Sequence, residues 1–139
     1  MIPKFRVWHY ELGRLMSVKC MFFQDSEIEE FELNDALMND YITAYPDDIE
    51  LMQSTGLKDK NGKEIFEGDI VRTTRFLGRA DEIGGFYEYE KDYVGVVKVL
   101  EGSWVIDTGS VAVRLWSEID ESEVLGNIYE NLEFLEVNE

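Results

Sequence analysis

The chain has 139 residues, 45% of them hydrophobic, with eight Phe, seven Tyr and three Trp. This is enough apolar mass for one core and excludes global disorder. A formal net charge of −17, from 30 acids against 13 bases, opposes approach to DNA, RNA or an anionic membrane, because phosphate binding rests on neutralisation by Lys and Arg.

No apolar run reaches the ~20 residues of a membrane-spanning helix, and the N-terminus lacks the apolar core of a signal peptide. The single Cys20 precludes an internal disulfide. A cytoplasmic location and no membrane partner are the expectations. The charge is unevenly spread: residues 1–19 carry +3, 20–50 carry −10, 51–71 carry −1, 72–98 are neutral, and 99–139 carry −9. Bases are nowhere concentrated enough to make a nucleic-acid footprint.

In chain order, Phe5-Arg6-Val7-Trp8-His9-Tyr10 and Met16-Ser17-Val18-Lys19-Cys20-Met21-Phe22 are rich in β-formers and flank a plausible turn at Glu11–Arg14. Together they predict an N-terminal hairpin. Residues 26–45 allow two readings. Ser26 with Glu29 has the form of a capping box opening a helix. A short strand followed by a helical turn around Asp35 to Asn39 fits equally well. Pro46-Asp47-Asp48 closes this region as a loop, and Ile49 to Thr55 reads as a strand.

Asp59-Lys60-Asn61-Gly62 has the chemistry of a type I turn followed by a left-handed glycine. An Asp at the first position can accept from the backbone two residues on, and Gly tolerates positive φ. Leu57 and Ile65 then face each other across the turn, and Lys58, Lys60 and Lys63 stay in water at its tip. The spacing fails the register of an EF-hand and of a phosphate loop, so no cation or phosphate is assigned here. Glu67-Gly68-Asp69 supplies a second turn.

Downstream, strands are expected at 69–75, 93–100, 103–108, 111–116 and 123–129, with Glu101-Gly102 and Gly109-Ser110 as tight hairpin spacers. Five strands with a long first connection, 76–92, predict a mainly β fold with a minor α+β character. The expected architecture is a small SH3-like β-barrel carrying an N-terminal β-hairpin layer and a short helix or irregular segment. The expected division is 1–55, hairpin and acidic layer, and 56–139, barrel and tail.

The block TGLKDKNGKEIFEGDIV at 55–71, the segment EVLGNIYENLEFL at 123–135 and the opening KFRVW at 4–8 resemble the YopX family of phage and prophage proteins. Leu132 stands where that family shows proline, a change that loosens a turn. The resemblance implies a mixed, mainly β fold, a phage or prophage origin in a bacterial host, and self-association. It carries no reaction and no functional residues.

Catalytic residues are not evident. His9, the only histidine, falls in a strand and reads as a solvent- or edge-facing residue. Cys20 lies in an apolar run and reads as a small buried hydrophobe. Zinc would need several His or Cys ligands, so no cofactor and no metal are assigned. Glu118, Asp120, Glu121 and Glu123 read as a solvated acidic link rather than a cation site.

The candidate recognition element is the 76–92 connection, where Phe86, Tyr87 and Tyr89 interleave with Glu88 and Glu90 and suit a basic protein partner. Its structural counter-reading is a long hairpin that buries its own aromatics. The favoured function is a noncatalytic interaction module that assembles with itself, as a homo-oligomer, or with a host protein. The alternatives are an acidic mimic of nucleic acid that binds a host DNA-binding protein, and a divalent-metal carboxylate hydrolase.

Overall fold

Alternation with a period of two places Val7 and His9 on one face of β1 (Phe5–His9) and Arg6 and Trp8 on the other. In the computed structural model, which describes residues 4–80, 84–115 and 121–136, the chain divides into two compact units, Met1–Ser54 and Thr55–Glu139. The first unit contains β1, β2 (Arg14–Gln24), β3 (Glu27–Asp35), β4 (Asp40–Ala44), a 3-10 turn at Pro46–Asp48, and the start of β5 (Ile49–Lys58). Its antiparallel order is β4-β3-β2-β1-β5.

Directly opposed residues share a face. The rows Leu51–Val7–Met16 and Val18–Leu33–Ile42 therefore build the core with Phe31, Ala44 and Ile49. A register shift between Val18 and Cys20 brings Met21, not Cys20, onto that face, so Cys20 is only half-buried rather than a core residue. His9 is buried because β1 has a partner on both sides; the expected edge or solvent position does not hold. Its Nδ1 accepts the Leu12 N–H at 3.1 Å, which ties the imidazole into the β1–β2 turn.

The ambiguous segment is a hairpin. Asp25 and Ser26 adopt φ of 53° and 70°, the two-residue turn that a right-twisted β-ribbon demands. Ser26 therefore turns a strand pair and caps no helix. Residues 36–39 then turn β3 into β4, and Asp35 holds that turn by accepting the Leu37 N–H while paired in bidentate fashion with Arg14 at 2.9 and 3.1 Å. β4 ends the ladder. A backbone donor within it and one just past it are met by nearby side chains: Tyr41 N–H by Asp40 at 2.8 Å and Tyr45 N–H by Asp48 at 2.9 Å.

The second unit begins with the end of β5 and β6 (Glu64–Phe66), joined by the turn anticipated from Asp59-Lys60-Asn61-Gly62. Asp59 accepts the N–H groups of Asn61 and Lys63 at 2.9 and 2.8 Å, and Gly62 takes φ of 82°. Leu57 packs against the core cluster that contains the buried Ile65. Then follow β7 (Asp69–Ala80), β8 (Phe86–Leu100), β9 (Ser103–Asp107), β10 (Ala112–Arg114), β11 (Glu121–Asn127) and the short α1 (Glu133–Glu136).

The order of this sheet is β10-β9-β8-β7-β11, all antiparallel. Val71, Val97 and Ile106 form its core with Ile65, flanked by Trp104, Leu115 and Val124. Gly95 permits the β8–β9 approach, since a Cβ there would lie 2.3 Å from the Asp107 carbonyl oxygen. The fold is mainly β, and the five expected strands and both expected hairpins are present. The pairings among the described residues form a ladder and do not include the closure of a barrel; Trp116 at the end of the expected fourth strand lies outside the described residues.

Candidate interaction surface

Among the described residues, the 76–92 connection is strand at 76–80 and 86–92. β7 and β8 remain in register from Ile70↔Val96 to Ala80↔Phe86, whereas β11 pairs with β7 only as far as Thr74 and β9 with β8 only as far as Val96. Among the described residues, positions 75–80 and 86–92 thus pair only with each other, as a two-stranded ribbon running past the sheet. The sequence reading offered a long hairpin here beside a flexible connection, the latter because Gly78, Gly84 and Gly85 look like loop punctuation. Gly84, with φ of 86°, serves the turn region, but Gly78 lies within a strand. A Cβ at Gly78 would meet Phe86 Cζ at 2.4 Å, so the ring of Phe86 covers the gap that the glycine leaves.

The ribbon aromatics whose side chains are described stay in solvent: Phe86 is 70% exposed, Phe76 52% and Tyr89 40%, so the hairpin of the counter-reading is present but does not bury them. Of the five residues singled out from sequence, Phe86, Glu88 and Glu90 occupy one face of β8, and Tyr87 and Tyr89 hold the alternate positions. Tyr87 is opposite Arg79 and Tyr89 opposite Leu77; the side chain of Tyr87 lies outside those described. Phe76, opposite Glu90, was not singled out. Its signal was available only through the register, which sets it on the same face as Phe86.

Charge follows the same alternation. On the even-numbered face the ribbon carries Glu88, Glu90 and Asp92 with the two phenylalanines; at odd-numbered positions it carries Arg75, Arg79 and Lys91. Asp92 accepts from Thr74 at 2.7 Å. Arg75 donates to the Arg114 carbonyl, and the Lys91 ammonium lies 5.2 Å from the Tyr93 ring centroid.

Other candidates resolve into structure. The acidic link loses Glu118 and Asp120 to the residues outside the description, and Glu123 is held by Arg72 at 2.8 Å and Lys60 at 3.4 Å. Among the described residues no group of three or more His, Cys, Asp or Glu is placed to hold a metal ion. A cavity of about 610 Å³ is lined by Val94, Val96, Lys98, Asp107, Thr108 and Leu135, among others. Its charged groups already satisfy each other: Lys98 contacts Asp107 at 2.6 Å. The hydrogen bond from Lys98 and that from the Gly109 N–H hold the Asp107 carboxyl below its ordinary range against the opposing effect of burial. No helix among the described residues is long and apolar enough to cross a membrane.

Asp59 has a further role that local sequence does not show. Its second oxygen accepts the Val124 N–H at 2.9 Å, and Lys60 N–H donates to the Ser122 carbonyl at 2.8 Å, so the 59–62 turn covers the outer edge of β11. The YopX protein family model matches residues 4–136. The chain belongs to the YopX family. Among solved structures, it is similar to protein EF1440 from Enterococcus faecalis, at 25% identity and a TM-score of 0.58, over 97% of this chain and 99% of that one. It is also similar to YopX from Bacillus subtilis, at 20% identity and a TM-score of 0.52, over 94% and 95% of the two chains. No curated protein matches the sequence. The YopX blocks at 4–8, 55–71 and 123–135 coincide with β1, the 59–62 turn and β11, all elements that build the scaffold rather than the ribbon.

Proposed function

We propose that this YopX-family chain is a noncatalytic protein-interaction module, encoded by a phage or prophage and acting in the cytoplasm of its bacterial host, and that the β7–β8 ribbon is its contact element. The observation that carries this reading is the exposure of Phe76, Phe86 and Tyr89 on a ribbon that no further described strand flanks. Large exposed aromatics on a paired hairpin supply the anchors typical of protein interfaces. The family membership supports the phage origin.

The acidic-mimic reading has a different signature, namely displacement by DNA. The test is affinity capture from a bacterial host extract at physiological salt, alongside mass measurement in solution for self-association. A specific partner, or a specific oligomer, should be lost in Phe76→Ser/Phe86→Ser. Retention of all partners and of the oligomeric mass by that variant overturns the reading; release by competing DNA shifts it to mimicry.

A further inference from the structure

From the segregation of charge across the ribbon, we infer that its even-numbered face receives an extended protein segment rich in Lys or Arg and apolar residues. This rests on the interaction reading above and names the partner's chemistry. Within 75–80 and 86–92 three bases, Arg75, Arg79 and Lys91, balance three acids, Glu88, Glu90 and Asp92, yet the register puts the two signs at alternate positions. Glu88 and Glu90 are exposed and, among the described residues, their carboxylates take part in no side-chain hydrogen bond or ion pair.

The two glutamates lie two residues apart on one strand, hence about 7 Å apart. That is the spacing of successive same-face residues on an extended partner segment. Phe76 stands directly across from Glu90, and Phe86 covers Gly78 across from Glu88. The face therefore offers two anionic points beside two apolar rings, which suits a segment alternating cationic and apolar side chains whose long stems lie along the rings.

A second copy of the chain could answer this face with the odd-numbered positions of its own ribbon. Arg75 and Lys91 there already engage the Arg114 carbonyl and the Tyr93 ring. A net charge of −17 on each copy also repels a second copy at long range and draws a cationic partner in.

The probe is a short synthetic peptide of alternating lysine and leucine, with a glutamate–leucine peptide as counterpart, titrated against the full chain by calorimetry at physiological salt. Glu88→Gln/Glu90→Gln should weaken binding of the cationic peptide about tenfold. Glu27→Gln/Glu29→Gln, exposed on β3 and equal in charge change, should weaken it less than about twofold. Equal weakening by both variants means a general polyanion effect and overturns the inference, as does absence of binding by the wild-type chain. A change in solution mass on Glu88→Gln/Glu90→Gln without a change in peptide affinity overturns it in favour of a second copy. If Phe76→Ser/Phe86→Ser loses host partners while the glutamate variant keeps them, the interaction reading stands and this partner chemistry falls.

Discussion

Replacing Asp59 by Ala should destabilise the second unit by about 4 kcal/mol, the sum of three lost backbone contacts. The N–H groups of Asn61 and Lys63 belong to an exposed turn and regain water, so each costs about 1 kcal/mol; Val124 N–H lies on a covered strand edge and costs about 2 kcal/mol. With a urea slope of roughly 2 kcal/mol per M, the midpoint falls by about 2 M. Asp59→Asn keeps one acceptor oxygen and should lose about half as much.

The pH dependence of Asp59 has a defined sign. Burial pushes its carboxyl up, but the bonds from Val124, Lys63 and Asn61 and the nearby Lys63 charge outweigh it and hold the group below its ordinary range. Its contribution is therefore complete above the unfolded value of about 3.9 and is lost as pH falls through the lower folded value. Urea melts across that window, with hydrogen exchange at the Val124 amide, are the assay. An Asp59→Ala protein within about 0.5 kcal/mol of wild type, with its Val124 amide still protected, would refute the clamp.

Two other outcomes are expected. Gly95→Ala forces a Cβ to within 2.3 Å of the Asp107 carbonyl oxygen and 2.9 Å of Ile106 Cγ2; it should cost about 3 kcal/mol or more and show first as lost amide protection along β9. In the first unit, the hydrogen bond and charge of Arg14, with the Leu37 and Met38 amides, hold the Asp35 carboxyl low despite the opposing effect of burial. Arg14→Met should raise the midpoint of its carboxyl carbon in an NMR titration, and an unmoved midpoint would count against that cause.

What the sequence revealed was local. Asp59 and Gly62 declare their turn because the hydrogen bonds and the positive φ involved lie within five residues, and Glu101-Gly102 declares its hairpin because its turn is equally local. Asp25-Ser26 concealed an equally tight turn, since Ser stands where the customary Gly would follow Asp. The β-bulge at Cys20 changed which side chains reach the core, and no local pattern marks it. The contact between Asp59 and Val124 spans 65 residues, beyond the reach of any motif. At the candidate surface, Phe86, Glu88, Tyr89 and Glu90 could be picked by composition, but Phe76 and the opposite charges of the two faces emerge only once β7 and β8 are laid in register.

The carboxylates of Asp40 and Asp48 occupy one amide donor in β4, the strand at the end of the first sheet, and one just beyond it. A stray extended chain arriving there finds those sockets already plugged by the protein itself, so this border is a poor seed for fibre growth. Asn in place of both acids retains an oxygen at each socket, whereas Ala in place of both would open them and turn a silent margin into one that recruits its own kind.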